Sequence, residues 1–213
     1  MRTRIKICGI TRPEDGVAAL RAGADFLGFI LTESPRRLTL DQARTLRGKL
    51  PPEAQVVGVF AEEPPEIVSL FAHELALHAV QVAGWSDAAP DAAGGTAEIW
   101  HVLRAAELPD PVTLPMVPLR TYVLDAHDQE MPGGTGKRAD WEWARRCVEV
   151  GRRLFVAGGL DPGNVAPLVR DIRPFGVDAS SRLESAPGRK DAAKVRAFID
   201  AIRAADHDRP KRS

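Results

Sequence analysis

The sequence predicts an α/β protein built as a single, compact (β/α)8 barrel over residues 1–206, followed by a polar tail over 207–213. Three observations favour this fold. Eight apolar, strand-like runs alternate with helix-like segments, which is typical of βαβ units and a parallel sheet. The 213 residues provide about 27 per unit, at the compact end of the range for such barrels. The most unusual residues follow the strands, at the end where these barrels carry their function.

The predicted elements follow one another in a regular order. Strands are predicted over 3–8, 24–31, 54–60, 77–83, 97–103, 120–126, 152–158 and 174–180. Helices are predicted over 13–22, 39–49, 64–74, 140–150, 162–170 and 190–205. The segments 88–97 and 109–118 are rich in Gly or Pro, and we interpret them as a shortened fourth and fifth helix with their loops. Cutting the chain there would leave pieces too small for separate cores, so we expect one domain.

The first unit, "IKICGIT" at 5–11, ends a buried strand at a cysteine. Ile5 is β-branched, as suits a strand, and Gly9 frees the backbone to turn. Thr11 and Glu14 have the spacing of a capping box that opens a helix. Cys8 therefore follows a strand and precedes a helix. Taken alone, it is either a buried packing residue or a reactive group.

Composition excludes several classes of protein. The chain has 29 basic and 29 acidic residues, so no net charge predicts binding to nucleic acid or to an anionic membrane. Its two cysteines, together with the lack of a signal peptide pattern or a long apolar run, predict a cytoplasmic protein without a disulfide framework. The histidines have no spacing typical of a metal site, so we expect no metal; they are His73, His78, His101, His127 and His207.

The glycine-rich turns after the last two strands predict a phosphate site. In a barrel of this type, small residues let backbone amides approach an anion at the start of a helix. The candidates are Gly158 and Gly159 after the seventh strand, and Ser180 and Ser181 after the eighth. Asp161 and Pro162 occupy the positions expected for the cap and first turn of the following helix.

The stretch "GGTGK" at 133–137 looks like part of a nucleotide-binding loop, but its surroundings do not fit one. A Walker motif requires Gly at 131 and Ser or Thr at 138, where this chain has Met131 and Arg138. Gly133, Gly134 and Gly136 are therefore interpreted as the tip of a flexible loop or as part of a lid over a substrate. Gly133 and Gly134 are also candidates for phosphate binding.

Taken together, the motifs resemble those of the phosphoribosylanthranilate isomerase family of tryptophan biosynthesis. The matching stretches are "KICGIT", "GADFLGFIL" with "SPR", "VGVF", "VQVAG", "LDA", "GGTGK" with "DW", "AGGL", and "GVDASSRLE" with "PGRKD". They extend from residue 5 to about 198, and their order and spacing are far more specific than any one motif. The resemblance implies a (β/α)8 enzyme without a cofactor, acting on a small phosphosugar as a monomer or homodimer.

The resemblance also implies the residue roles. The family's reaction is an Amadori rearrangement of N-(5-phosphoribosyl)anthranilate, an aminoaldose, into an aminoketose. Cys8 matches its general base, Asp125 its general acid, and Arg36 the arginine that binds the anthranilate carboxylate. Gln81 and Asp178 also match motif positions, either as site residues or as polar residues of the barrel interior.

The chemistry explains why both a general base and a general acid are needed. Opening the furanose ring requires a proton on the ring oxygen, and forming the enol requires removal of a proton from C2. We expect a thiolate at Cys8, favoured by Arg36 and helix amino termini. We expect Asp125 to be protonated, favoured by a water-poor pocket.

This chain departs from the family pattern at two positions. Ala83 replaces the usual His, and Arg182 replaces the usual Gly after the serines. A glycine would allow a positive φ at 182. Either the loop bends differently in this chain, or the backbone at this position does not require a glycine. We weigh two roles for Arg182, a surface pair with Glu184 or a contact to the phosphate.

Two other functions remain open from the sequence. One is a non-catalytic phosphosugar-binding barrel, against which the presence of both Cys8 and Asp125 argues. The other is a different phosphosugar isomerase or lyase, for which a cysteine base is unexpected. The fold by itself does not decide among them.

Overall fold

The computed structural model contains a closed barrel of eight strands, as predicted, and describes residues 2–83, 97–104, 109–114, 120–125 and 136–208. The barrel strands, β1 to β8, are Arg4–Cys8, Phe26–Ile30, Gln55–Phe60, Ala79–Ala83, Glu98–Arg104, Thr121–Asp125, Arg153–Ala157 and Gly176–Ala179. The helices in the described ranges, α1 to α6, are Pro13–Ala22, Leu40–Arg47, Pro65–Glu74, Gly136–Glu149, Val165–Ile172 and Ala192–His207.

Each strand pairs in parallel with the next, and the barrel closes between β1 and β8. In that last pair, Lys6 lies opposite Asp178. All eight carboxyl ends therefore meet at one mouth, as the predicted barrel requires.

The two faces of β1 illustrate how the strands divide their side chains. Ile5 and Ile7 are fully buried on the outer face, in the layer that packs against the helices. Because side chains alternate along a strand, Lys6 and Cys8 point into the barrel. The same alternation on the other strands separates a helix-covered outer layer from the residues of the lumen.

An aromatic cluster fills the lumen toward the amino ends of the strands. Trp100 and Phe155 stack at 4.6 Å between ring centroids, and Phe26 meets Trp100 edge-on at 5.1 Å. Gly176 lies against this cluster, and a Cβ there would come within 2.3 Å of the Phe155 ring. Trp100 is completely buried in this cluster and has a packing role.

Three helix starts differ clearly from the predictions, one in its capping and two in their position. The capping box at α1 is wrong: Arg12 caps the helix without a side-chain bond, Thr11 donates to the Gly188 carbonyl, and Glu14 pairs with Arg12. Helix α4 begins at Gly136 rather than at 140, so the last glycine of "GGTGK" is helical and not part of a loop tip.

The third difference is at α5, which begins at Val165 rather than at 162. Asp161 does act as a local cap, since it accepts bonds from the amides of Gly163 and Asn164 before the helix starts.

A short hairpin that the sequence did not predict follows the barrel. A 3₁₀ turn over Ser181–Leu183 leads into β9 (Glu184–Ala186), which pairs antiparallel with β10 (Arg189–Lys190). Gly188 forms the turn with a φ of +76°. Helix α6 then starts after Asp191, which accepts bonds from two amides of its first turn.

Some predictions fall on residues outside the described ranges. These include 88–96, the last four residues of the segment 109–118, and 209–213 of the predicted tail. The described part of that segment, 109–114, forms a turn rather than the predicted fifth helix. The predicted boundary at 206/207 falls at the end of α6, and the division into barrel and tail stays a prediction. Among the described helices, none combines the length and apolar character needed to cross a membrane.

Candidate functional site

A cavity of about 470 Å³ opens at the carboxyl ends of the strands. Most of the residues singled out from the sequence line it: Cys8, Gln81, Asp125, Gly158, Gly159, Asp178, Ser180, Ser181 and Arg182. Apolar side chains such as Ile30, Val59 and Leu160 complete its wall. The barrel thus gathers residues from seven strands and their loops into one pocket.

Cys8 ends β1 at the floor of this cavity and is 7% exposed. Its thiol packs on Gly28 of the next strand, where a Cβ would come within 2.6 Å of the sulfur. The Ser180 hydroxyl donates a bond of 3.0 Å to the Cys8 carbonyl and ties the two strand ends together. The side chain at 28 must therefore be absent for the thiol to occupy this position.

The electrostatics of Cys8 differ from the prediction. Burial raises the pKa of the Cys8 thiol, and the nearby Asp178 raises it further, whereas the Lys6 ammonium and, more weakly, Lys190 lower it. The net shift is upward, so the resting group is a neutral thiol. The expectation of an electropositive site that stabilises the thiolate was wrong because desolvation outweighs the surrounding positive charges.

Lys6 is a component of the site that the sequence analysis missed. Its side chain is fully buried in the lumen, and its Nζ donates to Asp178 Oδ2 at 2.6 Å and to Gln81 Oε1 at 2.9 Å. Burial lowers the pKa of Lys6, but the charges of Asp178 and Cys8 outweigh that effect and raise it. Lys6 thus stays charged and fixes the two polar side chains predicted at 81 and 178.

Asp125 ends β6 on another side of the cavity and is exposed. The predicted water-poor pocket around this carboxyl group is therefore wrong for this structure.

Arg36 is held by a carboxylate rather than free in the cavity. Its Nε and Nη2 donate to the two oxygens of Glu184 at 2.7 and 2.6 Å, a bidentate geometry. Its stem lies over Gly9, where a Cβ would come within 2.7 Å of the Arg36 Cδ. The arginine is thus fixed beside the turn that follows Cys8.

Glu184 has a second cation partner. Lys190 Nζ donates to Glu184 Oε1 at 2.8 Å and to the Ser180 carbonyl at 3.2 Å. Burial raises the pKa of Glu184, but the bonds from Arg36 and Lys190 outweigh it, so its pKa lies below the usual range. For Lys190 burial dominates and its pKa is lowered.

The predicted phosphate residues lie together at one side of the mouth. Gly158 and Gly159 have φ values of +93° and +61°, conformations that favour glycine. Ser180 and Ser181 follow β8 at the start of the 3₁₀ turn, beside these glycines in the cavity wall. Gly133 and Gly134 lie outside the described residues.

The proposed surface pair of Arg182 with Glu184 was wrong, because Arg36 and Lys190 occupy that carboxylate. Arg182 is exposed at the rim of the cavity, within the 3₁₀ turn. In the described chain only Ala76 and Arg173 are non-glycine residues with positive φ, so Arg182 is not strained. The backbone at this position does not demand a glycine.

The residues that the sequence analysis missed are Lys6, Glu184 and Lys190. A signal for Lys6 was available, because it lies two residues before Cys8 and so on the same face of the strand. Glu184 and Lys190 stand in the matching stretches "GVDASSRLE" and "PGRKD". Their pairing had no local signal, because Glu184 binds Arg36, which is distant in the sequence. Within the described ranges, no group of His, Cys, Asp and Glu has the arrangement of a metal site.

Residues 5–201 match the family model of N-(5'-phosphoribosyl)anthranilate (PRA) isomerase. An N-(5'-phosphoribosyl)anthranilate isomerase of Trichlorobacter lovleyi is 44% identical over 202 residues, which cover 92% of this chain and 96% of that protein. The fold is similar to the phosphoribosyl anthranilate isomerase of Thermotoga maritima, with a TM-score of 0.83, 31% identity, and coverage of 95% of this chain and 99% of that one.

A second similar structure is a phosphoribosyl anthranilate isomerase in complex with reduced 1-(o-carboxyphenylamino)-1-deoxyribulose 5-phosphate. It has a TM-score of 0.79 and 28% identity, and the match covers 95% of this chain and 99% of that one.

Proposed function

This chain belongs to the N-(5'-phosphoribosyl)anthranilate isomerase family, and we propose that it converts phosphoribosylanthranilate into the aminoketose with Cys8 as general base and Asp125 as general acid. The observation that carries this proposal is that a cysteine and a carboxyl group at the ends of β1 and β6 line one cavity together with the candidate phosphate residues after β7 and β8. The reaction is a step of tryptophan biosynthesis.

The proposed chemistry has two proton transfers. Asp125 donates a proton to the furanose ring oxygen, the bond from C1 to that oxygen breaks, and the nitrogen lone pair forms a protonated Schiff base. Cys8 then removes the proton on C2. The electrons of that C–H bond form a C1–C2 double bond, the C=N electron pair returns to nitrogen, and the resulting enol tautomerises to the ketone.

The raised pKa of Cys8 has two consequences for this step. A thiolate formed in the buried site is a stronger base than an ordinary thiolate, because its conjugate acid is weaker. Only a small fraction of the enzyme carries that thiolate at neutral pH, so kcat/KM is expected to rise with pH toward the pKa of the thiol. The Lys6 ammonium on the same strand face limits how far this pKa rises.

Arg36 is proposed to bind the anthranilate carboxylate. Glu184 engages its Nε and Nη2 from one side, so the Nη1 edge of the guanidinium remains available for a second carboxylate. A guanidinium that is already fixed loses little conformational freedom when it binds. The aromatic end of the substrate would then lie beside the turn after Cys8.

The phosphate is proposed to bind between the loops after β7 and β8, with backbone amides near Gly158 and Gly159 and the hydroxyls of Ser180 and Ser181 as donors. Gly133 and Gly134 remain further candidates from the sequence. The enzyme is expected to be cytoplasmic and a monomer or homodimer, and it is expected to need no cofactor.

The test is an assay with freshly prepared phosphoribosylanthranilate, followed by the loss of substrate fluorescence across a range of pH. We expect turnover without added metal or organic cofactor and a kcat/KM that increases from neutral to alkaline pH. Binding without turnover would instead support a phosphosugar-binding barrel without catalytic function.

A further inference from the structure

The carboxylate of Asp178 has one oxygen bound and one oxygen free in the lumen. Oδ2 accepts the 2.6 Å bond from Lys6, while the buried Oδ1 has no hydrogen-bond partner in the described part of the chain. The side chain is only 8% exposed, and it lines the cavity together with Cys8. A buried carboxylate oxygen without a donor is costly, so a donor on a bound ligand would stabilise it.

We propose that Asp178 Oδ1 accepts a hydrogen bond from the C2 hydroxyl of the substrate and so orients the C2 proton toward Cys8. This inference rests on the proposed function. It assigns a substrate contact to a residue that otherwise forms only a buried ion pair.

The register of the barrel places Asp178 correctly for this contact. Asp178 pairs with Lys6 across the β8–β1 ladder, and Cys8 is the next residue of β1 that points inward. On β8, Ser180 follows Asp178 on the same strand face, toward the proposed phosphate site. A sugar bound by its phosphate at Ser180 would extend down the lumen past Asp178, with C2 between the carboxylate and the thiol.

The ion pair explains why Oδ1 accepts rather than donates. Burial raises the pKa of Asp178, and the Lys6 ammonium opposes that shift by donating to Oδ2 and favouring the ionised carboxylate. Gln81 accepts a second bond from the same lysine across the barrel. A sugar hydroxyl can donate, and a bond from a neutral donor to a carboxylate is stronger than one between two neutral groups. Lys6 is thus a positioning residue for Asp178, and Asp178 contacts the substrate.

The experiment compares the binding of two ligands. One is the reduced product, which carries a hydroxyl on C2, and the other is its 2-deoxy analogue. We expect the wild-type protein to prefer the hydroxylated ligand by about ten- to a hundredfold in Kd, the range for a hydrogen bond to a charged group. In Asp178→Asn this preference should fall severalfold toward parity.

Two further variants make the outcome interpretable. Cys8→Ala keeps the carboxylate and should keep the wild-type preference although it loses turnover. If Asp178→Asn does not fold because Lys6 loses its counter-charge, the double variant Lys6→Met with Asp178→Leu removes the pair without leaving a buried charge. That variant should bind the two ligands equally.

Equal binding of the two ligands by the wild-type protein, as expected if water satisfies Oδ1 in the complex, would overturn the inference. So would a wild-type preference retained in Asp178→Asn or in the double variant. Either result leaves the proposed function intact. Absence of turnover of phosphoribosylanthranilate by the wild-type protein would instead overturn both.

Discussion

The two ends of the barrel lumen are built from opposite kinds of residue. Toward the amino ends of the strands, Phe26, Trp100 and Phe155 pack ring against ring and exclude water. Toward the carboxyl ends, Lys6 joins Asp178 and Gln81 in a buried polar group. The same eight strands thus carry the aromatic cluster at one end of the lumen and this buried polar group at the other.

This difference between the two ends shows how one strand register serves both the stability of the fold and the chemistry of the site. Burying aromatic surface stabilises the fold at little cost, whereas burying a charge costs free energy unless it is paired. The polar residues under the cavity are therefore hard to explain by stability alone. Changes in the aromatic cluster should therefore affect stability and leave chemistry intact, whereas changes of Cys8 and Asp125 should affect chemistry and leave stability nearly intact.

The largest effect is expected from Cys8→Ala, which removes the proposed base. We expect kcat to fall by on the order of 10²-fold or more, with a thermal melting curve close to that of the wild type. The matched control is Cys147→Ala, because that cysteine is buried in α4 and burial raises its pKa to about 12. If the control lost activity and Cys8→Ala did not, the assignment of the base would be wrong.

A comparable loss is expected from Asp125→Asn, which preserves the shape of the side chain but cannot donate the carboxyl proton. We expect kcat to fall by about 10²-fold or more, measured by the loss of substrate fluorescence. Because Asp125 is exposed, the melting temperature of the variant should stay close to that of the wild type. Wild-type turnover by this variant would rule out the acid role.

The contribution of the aromatic cluster to stability can be tested with Gly176→Ala. The new Cβ would lie 2.3 Å from the Phe155 ring, and overpacking of this kind costs about 1–3 kcal/mol. For a chain of this size, that lowers the melting temperature by roughly 2–12 °C, while KM stays near the wild-type value. Gly48→Ala is the control, because its Cβ would meet only ordinary contacts at 3.5 Å. Equal melting temperatures for the two variants would contradict the prediction.

Glu184→Gln tests the ion network that surrounds Arg36. The folded pKa of Glu184 is lowered, so its charge stabilises the protein above the unfolded pKa of about 4.3, and that contribution is lost as pH falls through the folded value. The variant should therefore melt several degrees lower than the wild type near pH 7. The difference should shrink at acidic pH, below the folded pKa.

A melting difference that stays constant with pH would show that the charge of Glu184 does not stabilise the fold. In activity assays, the same variant should raise KM more than it lowers kcat, because a less well fixed Arg36 binds the substrate carboxylate more weakly.

The smallest effect is expected from Arg182→Gly, which removes a cation at the rim beside the proposed phosphate site. We expect KM to rise several-fold with kcat nearly unchanged, since phosphate binding is the same in ground and transition states. The salt dependence of kcat/KM should also weaken. An unchanged KM and salt response would show that Arg182 is a solvated surface residue.

The fold, and the strand ends that carry the candidate catalytic residues, could be predicted from the sequence alone. Alternating apolar strands and helices at even spacing leave few other ways to bury their faces, so the barrel and its functional end followed. The ends of the first and sixth strands placed Cys8 and Asp125 at the mouth of the barrel, and the resemblance to the isomerase family implied their roles. These features depend on local pattern and on a general rule of the fold.

Which ionisable side chains pair, and which of them carry a charge, depends on the tertiary structure. Arg36 meets Glu184 across 148 positions of the chain, and Lys6 meets Asp178 across 172. Such pairs depend on strand register and on side chains crossing the lumen, which local pattern does not encode. Burial likewise reversed the expected shift in the Cys8 pKa, because the cost of desolvation depends on how much water the folded barrel excludes.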